Sequence, residues 1–356
     1  MPNRYDSIVR SLETWFEANQ RALPWRRSYD PWHVWVSEVM AQQTRLAVVL
    51  EYFEPFIERF PTLAAMAEAS ETEVLAAWSG LVYYRRAKML RRGAIDVIER
   101  CRGAIPSDAA ALMTIPGIGR YTAGAIASIA FGARAPIVDG NIMRVAARVE
   151  RLEHPLGSTA LSKEAWNFAE VLVDRAASPR SLNQAVMEHG ALVCTPKSPS
   201  CGSCSIREWC LAYESGMVES LPRPKARRRG LRMTIPLFVV IDDRGWVLMR
   251  RASGSLMDAM YHLPHGSDDL IPGSEPASFD VGESLGLVRH TITHRTIEFD
   301  VRRASVASGV RDGQAEYQWI DPARLHEVPH PSYVAKALAR AGIGTGPILG
   351  DDSTLK

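Results

Sequence analysis

The sequence has no long apolar run and almost no excess of charge of either sign. Its 356 residues include 42 lysines and arginines against 40 aspartates and glutamates, a formal net charge of +2. No uninterrupted apolar stretch reaches the roughly 20 residues that a membrane-spanning helix needs. The first residues have neither an apolar signal core nor a transit-peptide composition. We therefore expect a cytoplasmic protein with no membrane partner, and polyanions would have to be bound by local basic patches.

Cysteine is scarce, and its distribution is uneven. Of five cysteines, Cys101 stands alone, whereas Cys194, Cys201, Cys204 and Cys210 follow the spacing C-x6-C-x2-C-x5-C. Disulfides are rare in the cytosol, so four clustered thiols indicate a metal centre. Four thiolates suit either structural zinc or a [4Fe–4S] cluster. The uneven spacing along one loop favours iron–sulfur, because zinc ribbons usually bring two C-x-x-C pairs from separate turns.

The length and the change in pattern along the chain predict two domains of an α+β multidomain protein. Residues 1–215 have helical periodicity and predict an all-α domain that ends in the cysteine loop at 194–210. Residues 216–232 are basic and proline-rich, which is typical of a linker. Residues 233–342 predict a smaller α/β domain, with strands near 234–241, 246–250, 287–302 and 315–320 and a closing helix at 332–341. Residues 343–356 predict a disordered tail.

The stretch from 112 to 141 organises the helical domain. Its Pro-Gly-Ile-Gly turn contains Gly117 and Gly119 between two helix-forming runs, and Asp139 follows the second run. Glycines before a helix N-terminus let bare backbone N–H groups approach an anion. This stretch resembles the helix-hairpin-helix and Gly-Pro-Asp signature of base-excision DNA glycosylases.

Two acids are candidates for the chemistry of such an enzyme. Hydrolysis of an N-glycosidic bond needs one acid with a raised pKa and one ionised carboxylate. Glu38 fits the first role because it lies inside an apolar helix beside Val34 and Trp35, where desolvation disfavours its charged form. Asp139 fits the second role. On the residues alone, a surface glutamate and a helix-capping aspartate remain alternatives.

The motifs together resemble the adenine DNA glycosylases, the MutY family. The resemblance rests on LPWR at 23–26, SEVMAQQT at 37–44, GLVYY at 80–84, IPGIGRYTAG at 115–124, VDGN at 138–141 and NQA at 183–185. It covers residues 8–215 densely and the C-terminal part more loosely. It implies a DNA-repair enzyme that extrudes and removes adenine mispaired with 8-oxoguanine or guanine in double-stranded DNA. It also implies a [4Fe–4S] cluster, and we expect a monomer, nucleoid-associated if the source is prokaryotic.

The resemblance gives roles to particular residues. Glu38 would protonate adenine N7, and Asp139, supported by Asn141, would stabilise the oxocarbenium ion. The adenine pocket would be formed by Trp25, Arg26, Leu46 and Gln184. Gln43 and Tyr83 would enter the duplex as a wedge, while Gly117 and Gly119 of the hairpin approach the DNA backbone.

Tyr121 predicts a subclass. In bifunctional relatives this position is a lysine whose amine forms a Schiff base with the sugar, and a phenol cannot form that imine. The enzyme is therefore expected to be monofunctional and to leave an abasic site. A purely structural role for the aromatic ring is the alternative.

Residues 231–342 resemble the Nudix fold that forms the C-terminal domain of this family. No Arg-Glu-x-x-Glu-Glu run is present between 254 and 287, so pyrophosphate hydrolysis with magnesium is not expected. The family role would be recognition of 8-oxoguanine by Thr293 and His294. Ile292 replaces an aromatic of the commoner pattern, and Val82 replaces a glycine.

Three other functions stay open on the sequence. Two are enzymes: a mismatch thymine glycosylase, and an endonuclease III-like lyase acting on oxidised pyrimidines. The third is a non-catalytic iron–sulfur protein that binds DNA. Tyr121 and the added C-terminal domain argue against the lyase, and the presence of both Glu38 and Asp139 argues against a non-catalytic protein.

Overall fold

The computed structural model describes residues 3–81, 83–225, 231–251, 260–266, 279–292, 295–306 and 317–345. The chain divides into two compact units. The first consists of residues 1–43, 62–67 and 92–227, and the second of residues 44–61, 68–91 and 228–356. Within the described ranges, no helix combines the length and apolar character needed to cross a bilayer. The predicted domain limits at 215 and 233 stay a prediction.

The first part of the chain is helical, as predicted. In chain order the helices are α1 Arg4–Asn19, α2 Pro31–Ala41, α3 Leu46–Arg59, α4 Leu63–Glu68, α5 Glu71–Ala77, α6 Arg85–Cys101, α7 Ala109–Leu112, α8 Arg120–Ala125, α9 Gly140–Val149, α10 Thr159–Arg175, α11 Pro179–Leu192 and α12 Leu211–Glu214. Helices α1, α9, α10 and α11 pack against one another in the first unit. Their core is built by large apolar side chains that include Leu12, Ile142, Phe168 and Leu182, all of which are buried.

Local sequence signals explain where several helices begin. Asp108 accepts a hydrogen bond from the Ala111 amide at the start of α7, and Ser158 caps α10 in the same way. The Ser-x-x-Glu sequence at 70–73 predicts a capping box at the start of α5, and Ser70 and Glu73 exchange the expected side-chain and backbone hydrogen bonds. These caps satisfy amide groups that have no partner inside their own helices.

The second helix of the hairpin is not regular throughout. A single helix is predicted from about Tyr121 to Phe131, but α8 ends at Ala125 and continues as a π-helical turn, Ile126–Ala130. Within this turn the buried Ser128 hydroxyl donates to the Gly124 carbonyl (2.7 Å) and accepts from the Asn183 amide (2.8 Å). Single π turns occur often at functional sites. Here the turn ties the hairpin to α11.

The second unit contains strands at the predicted places and the closing helix. They are β1 Leu231–Val240, β2 Val247–Arg251, β3 Tyr261–His262, β4 Phe279–Ile292, β5 Arg295–Val306, β6 Tyr317–Ile320 and α13 Ser332–Arg340. The run predicted at 287–302, however, belongs to two strands, β4 and β5, and β3 was not predicted. One sheet has the order β1-β5-β4, with β1 parallel to β5, and the other has the antiparallel order β3-β2-β6. Buried Leu237, Met249, Val301 and Leu338 contribute to the core between these strands and α13. The α+β fold class is confirmed.

Candidate active site

Glu38 lies in a dry environment, as its sequence context predicts. It is 9% exposed in α2, whose neighbouring side chains Val34 and Trp35 are buried. Burial raises the pKa of the Glu38 carboxyl to about 7, and the charge of Asp139 adds to this rise. A hydrogen bond from Tyr121 and the positive charge of Arg26 oppose it. Glu38 is therefore a carboxyl group that carries a proton near neutral pH.

Tyr121 stands beside this carboxyl. Its hydroxyl donates to Glu38 Oε2 over 2.6 Å and also lies 3.4 Å from Met187 Sδ. Burial and the charges of Glu38 and Asp139 raise the pKa of Tyr121 well above its usual range. The phenol therefore stays protonated and acts as a donor to Glu38.

Asp139 combines a structural and an electrostatic position. It is the N-cap of α9, where Oδ1 accepts from the Ile142 amide (2.7 Å) and Oδ2 accepts from the Asn141 side chain (2.9 Å). Burial raises the pKa of Asp139 above its ordinary value, although these hydrogen bonds and the charge of Arg144 offset part of the rise. Among the described residues, Glu38 by contrast receives one side-chain hydrogen bond, from Tyr121. Between the two interacting acids, Asp139 is the better stabilised as an anion, because a helix N-terminus also favours negative charge.

Asn141 links Asp139 to the rest of the helical unit. Its Oδ1 accepts from Arg144 Nη2 (2.8 Å), and the same guanidinium donates to the carbonyls of Gly190 and Cys194, each over 2.7 Å. Gly190 permits this approach, since an added Cβ would lie 2.8 Å from Asn141 Cβ. A hydrogen-bonded path thus connects the candidate catalytic aspartate with the first cysteine of the loop.

A second charged cluster lies next to Glu38. The buried Glu188 carboxylate accepts hydrogen bonds from two arginines. Arg21 donates through Nε (2.7 Å) and Nη2 (2.9 Å), and Arg26 donates through Nη2 (3.1 Å). Burial alone would raise the pKa of Glu188, but the hydrogen bonds from Arg21 and Arg26 lower it to about 2. Arg26 Nε also donates to Gln184 Oε1 (2.8 Å). Two predicted pocket residues are therefore held together, and the ionised Glu188 orients both arginines.

The remaining predicted pocket and DNA-contacting residues occupy different places. Trp25 is buried in a 3₁₀ turn, Pro24–Arg26, of the first unit, and Leu46 is the half-buried first residue of α3 in the second unit. Gln43 and Tyr83 are exposed and adopt left-handed backbone conformations, with φ of 58° and 49°. Both are side chains that project from turns.

The hairpin turn has the predicted open backbone. Gly117 has a φ of 85°, which favours glycine, and Gly119 precedes α8 with nothing within 4 Å of the position a Cβ would take. The N-terminus of α8 is therefore accessible to a backbone or an anion. Thr293, His294 and Val82 lie outside the described residues, as do the side chain of Ile292 and the tail from residue 346 onward.

The four clustered cysteines line one cavity, together with Arg148 and His189. Arg148 Nη1 lies 3.3 Å from Cys194 Sγ, and His189 Nε2 lies 3.5 Å from Cys204 Sγ. Such donors suit thiolate sulfurs. In the part of the chain that is described, no three His, Cys, Asp or Glu side chains are grouped closely enough to hold a single metal ion. The set of four thiols around one cavity fits an iron–sulfur cluster.

Arg148 also shapes this loop through its other nitrogens. It is 1% exposed and donates to the carbonyls of Leu221 (2.9 Å), Thr195 (2.7 Å) and Pro196 (3.3 Å). The sequence reasoning missed Arg148, Arg144, Arg21 and Glu188. For three of them a signal was available, since Arg144 and Arg148 interrupt the apolar face of α9 and Glu188 lies within the mainly buried α11.

The described residues thus combine a helix-hairpin-helix, an aspartate that caps the next helix, a buried glutamic acid and a loop with four cysteines. Accordingly, residues 36–169 match the HhH-GPD superfamily of base excision DNA repair proteins. Residues 194–210 match the iron–sulfur binding domain of endonuclease III, and residues 237–340 match the NUDIX domain.

Sequence similarity to individual proteins identifies the family more closely. The adenine DNA glycosylase of Mycobacterium tuberculosis is 38% identical over 216 residues, which cover 60% of this chain and 70% of that protein. The human adenine DNA glycosylase is 44% identical over 220 residues, 59% of this chain and 40% of that protein. The chain belongs to the adenine DNA glycosylase family, and the resemblance stated from its motifs is confirmed. It spans only about two fifths of the length of the mammalian relatives that it matches.

Solved structures that are similar to this chain over about 60% of its length include two enzymes that act on DNA. A thermostable thymine-DNA glycosylase is 26% identical with a TM-score of 0.53, covering 60% of this chain and 97% of that chain. A trapped endonuclease III–DNA covalent intermediate is 22% identical with a TM-score of 0.51, covering 61% of this chain and all of that chain. The second likeness supports the fold alone.

Proposed function

We propose that the protein is a monofunctional adenine DNA glycosylase that removes adenine mispaired with 8-oxoguanine or guanine and leaves an abasic site. The observation that carries this proposal is the pairing of Glu38, whose pKa is about 7, with the better stabilised carboxylate of Asp139. A proton donor and an anion next to each other are what cleavage of a glycosidic bond requires. Family membership supports adenine as the base.

The chemistry follows from the two acids. The Glu38 proton goes to adenine N7, the C1′–N9 bond breaks with its electron pair leaving on the base, and the sugar becomes an oxocarbenium ion. Asp139 stabilises that cation, held in place by Asn141 and the Ile142 amide. Water then adds to C1′ and loses a proton to the Glu38 carboxylate. Tyr121 has no amine, so no imine forms with the sugar and the strand stays intact.

The DNA partner is a duplex that contains the mispair. The hairpin turn at Gly117 and Gly119 would approach the phosphate backbone, and Gln43 and Tyr83 would fill the space of the extruded adenine. On the family resemblance, contact with the flipped base is assigned to Trp25, Arg26 and Gln184, and also to Leu46. Recognition of 8-oxoguanine is assigned to Thr293 and His294 on the family resemblance.

The cysteine loop is proposed to hold a [4Fe–4S] cluster through Cys194, Cys201, Cys204 and Cys210. In this family role the cluster fixes the loop structurally. Arg148 donates to one of the ligand sulfurs and to two loop carbonyls, so it neutralises negative charge and fixes the loop. We further propose that the protein acts as a monomer.

Removal of thymine is the second candidate, since a thymine-DNA glycosylase is 26% identical to this chain with a TM-score of 0.53. The discriminating experiment measures single-turnover excision from duplexes that carry A opposite 8-oxoguanine, A opposite guanine, T opposite guanine, and matched A·T. Excision of adenine from the first two is expected, without strand cleavage. Excision of thymine instead would replace the proposal by the second candidate.

A substitution tests the role of the acid. Glu38→Gln keeps the shape of the side chain but removes its proton, and it should lower the excision rate by about 10²–10⁴-fold while duplex binding persists. Glu17→Gln, at an exposed position of α1, is the matched control and should excise at the wild-type rate. Wild-type activity in Glu38→Gln would contradict the assignment.

A further inference from the structure

Tyr84, the residue after the candidate wedge Tyr83, makes a contact that the proposed chemistry does not use. Its hydroxyl donates to the backbone carbonyl of His330 over 2.8 Å, and both groups are buried. Both residues belong to the second compact unit. Tyr84 nevertheless comes from the stretch that matches the helical repair family, whereas His330 comes from the NUDIX-matched stretch.

The acceptor side of this contact is firmly held. The Pro329 carbonyl accepts from the Tyr261 amide of β3 (2.8 Å), and His330 Nδ1 lies 2.9 Å from the Val328 carbonyl. Pro331 is the N-cap of α13, so the segment 329–331 lies between a strand and a helix. A backbone carbonyl placed in this way is a fixed point rather than a side chain that changes rotamer.

The donor side is a turn under conformational constraint. Gly80 has a φ of 100°, and a Cβ there would lie 2.0 Å from the Tyr52 hydroxyl. Tyr83 has a φ of 49°, which is uncommon for a bulky residue, and its side chain is 41% exposed. Arg86 partly holds the turn by donating to the Leu81 carbonyl over 2.8 Å, and its guanidinium lies 5.6 Å from the Tyr83 ring. A left-handed residue persists only where its surroundings hold it.

We propose that Tyr84 is a positioning residue, through which the NUDIX-matched stretch holds the turn that presents Tyr83 to the duplex. The inference rests on the proposed function, because it takes Tyr83 as the wedge of base extrusion. Its new content is that the C-terminal part contributes to extrusion through the buried Tyr84–His330 hydrogen bond, separately from any recognition of the opposite base.

The test compares two conservative variants of the full-length protein. Tyr84→Phe removes the hydroxyl that donates to the His330 carbonyl. Tyr333→Phe is the matched control, because it removes another buried hydroxyl of the same unit, one that lies 2.6 Å from His262 Nδ1. Both are made in a Glu38→Gln background to stop excision. Extrusion is read from the fluorescence of 2-aminopurine placed at the target position opposite 8-oxoguanine.

Tyr84→Phe should lower the extrusion equilibrium about fivefold, as expected for one buried hydrogen bond, and should speed amide exchange across residues 79–86. Tyr333→Phe should change neither. Equal effects of the two variants, or no effect of Tyr84→Phe, would overturn the proposal. If Tyr84→Phe does not fold, Ser79→Ala is the second variant, because it removes another hydrogen-bond partner of the Tyr84 side chain. It should shift extrusion and amide exchange in the same direction as Tyr84→Phe, and no shift in either would overturn the proposal.

The failure of the proposed function gives a different result. One result refutes the positioning role alone: the wild-type protein excises adenine, and Tyr84→Phe leaves extrusion in the Glu38→Gln background unchanged. Another result refutes both proposals: the wild-type protein excises no adenine, and Glu38→Gln with no further substitution extrudes no 2-aminopurine.

Discussion

Removal of the Tyr121 hydroxyl should make the enzyme work at higher pH. Tyr121 donates to Glu38 Oε2 over 2.6 Å, and this hydrogen bond favours the ionised carboxylate and so lowers the pKa of Glu38. The proposed excision by the wild-type protein needs the protonated acid, so its rate should fall as the pH rises through about 7. Without the Tyr121 hydroxyl, the pKa of Glu38 should be higher, and the fall in the excision rate should occur at higher pH.

The size of the shift follows from the strength of the bond. A hydrogen bond to a charged group contributes about 1.5–3 kcal/mol, and one pKa unit corresponds to about 1.4 kcal/mol. Tyr121→Phe keeps the ring and therefore the burial of Glu38. We expect the alkaline fall to move up by about one to two pH units in this variant.

The assay is the pH dependence of excision at subsaturating duplex, which reports the pKa of the free enzyme. Tyr5→Phe is the control, because Tyr5 offers its ring to the guanidinium groups of Arg4 and Arg175. The control should keep the wild-type profile. A profile of Tyr121→Phe that stays in place or moves to lower pH would refute the reasoning.

Three other outcomes are expected. Borohydride should trap no covalent adduct between the enzyme and its DNA, because Tyr121 has no amine; a trapped species on gels would contradict monofunctional chemistry. Arg148→Ala should lose the visible absorbance of the iron–sulfur cluster and about 3 kcal/mol of stability in denaturant unfolding, since it leaves buried loop carbonyls unpaired; an unchanged spectrum and midpoint would contradict this. Gly190→Ala should cost about 1–3 kcal/mol of stability and slow excision, because its Cβ meets Asn141 at 2.8 Å; wild-type kinetics would show that this approach is not needed.

The helices and strands were largely predictable, because their signals are local. The capping box at Ser70 follows from a Ser-x-x-Glu sequence, and Asp108 caps α7 directly before its first residue. The π turn was not predicted, because it depends on Asn183, which is 55 residues away from Ser128 in the chain. No periodicity within one helix contains that information.

In the candidate site too, local sequence signals were readable and contacts between distant residues were not. The dry position of Glu38 follows from its apolar neighbours in one helix, and the capping role of Asp139 follows from the residues after it. Glu188 lies 150 residues beyond Glu38, and its link to Arg21 depends on tertiary packing. For that reason the arginine–glutamate cluster was found only in the structure.

The double use of Asp139 has a consequence for variants of this protein. The Ile142 amide needs an oxygen acceptor, and an asparagine caps a helix about as well as an aspartate does. Folding therefore does not require a carboxylate at this position. The Asp139→Asn variant should fold, bind its duplex and remain there without releasing the base. Duplex binding and base release would therefore be separable at this single position, and stable folding of Asp139→Asn would show that the cap and the anion are independent uses of one side chain.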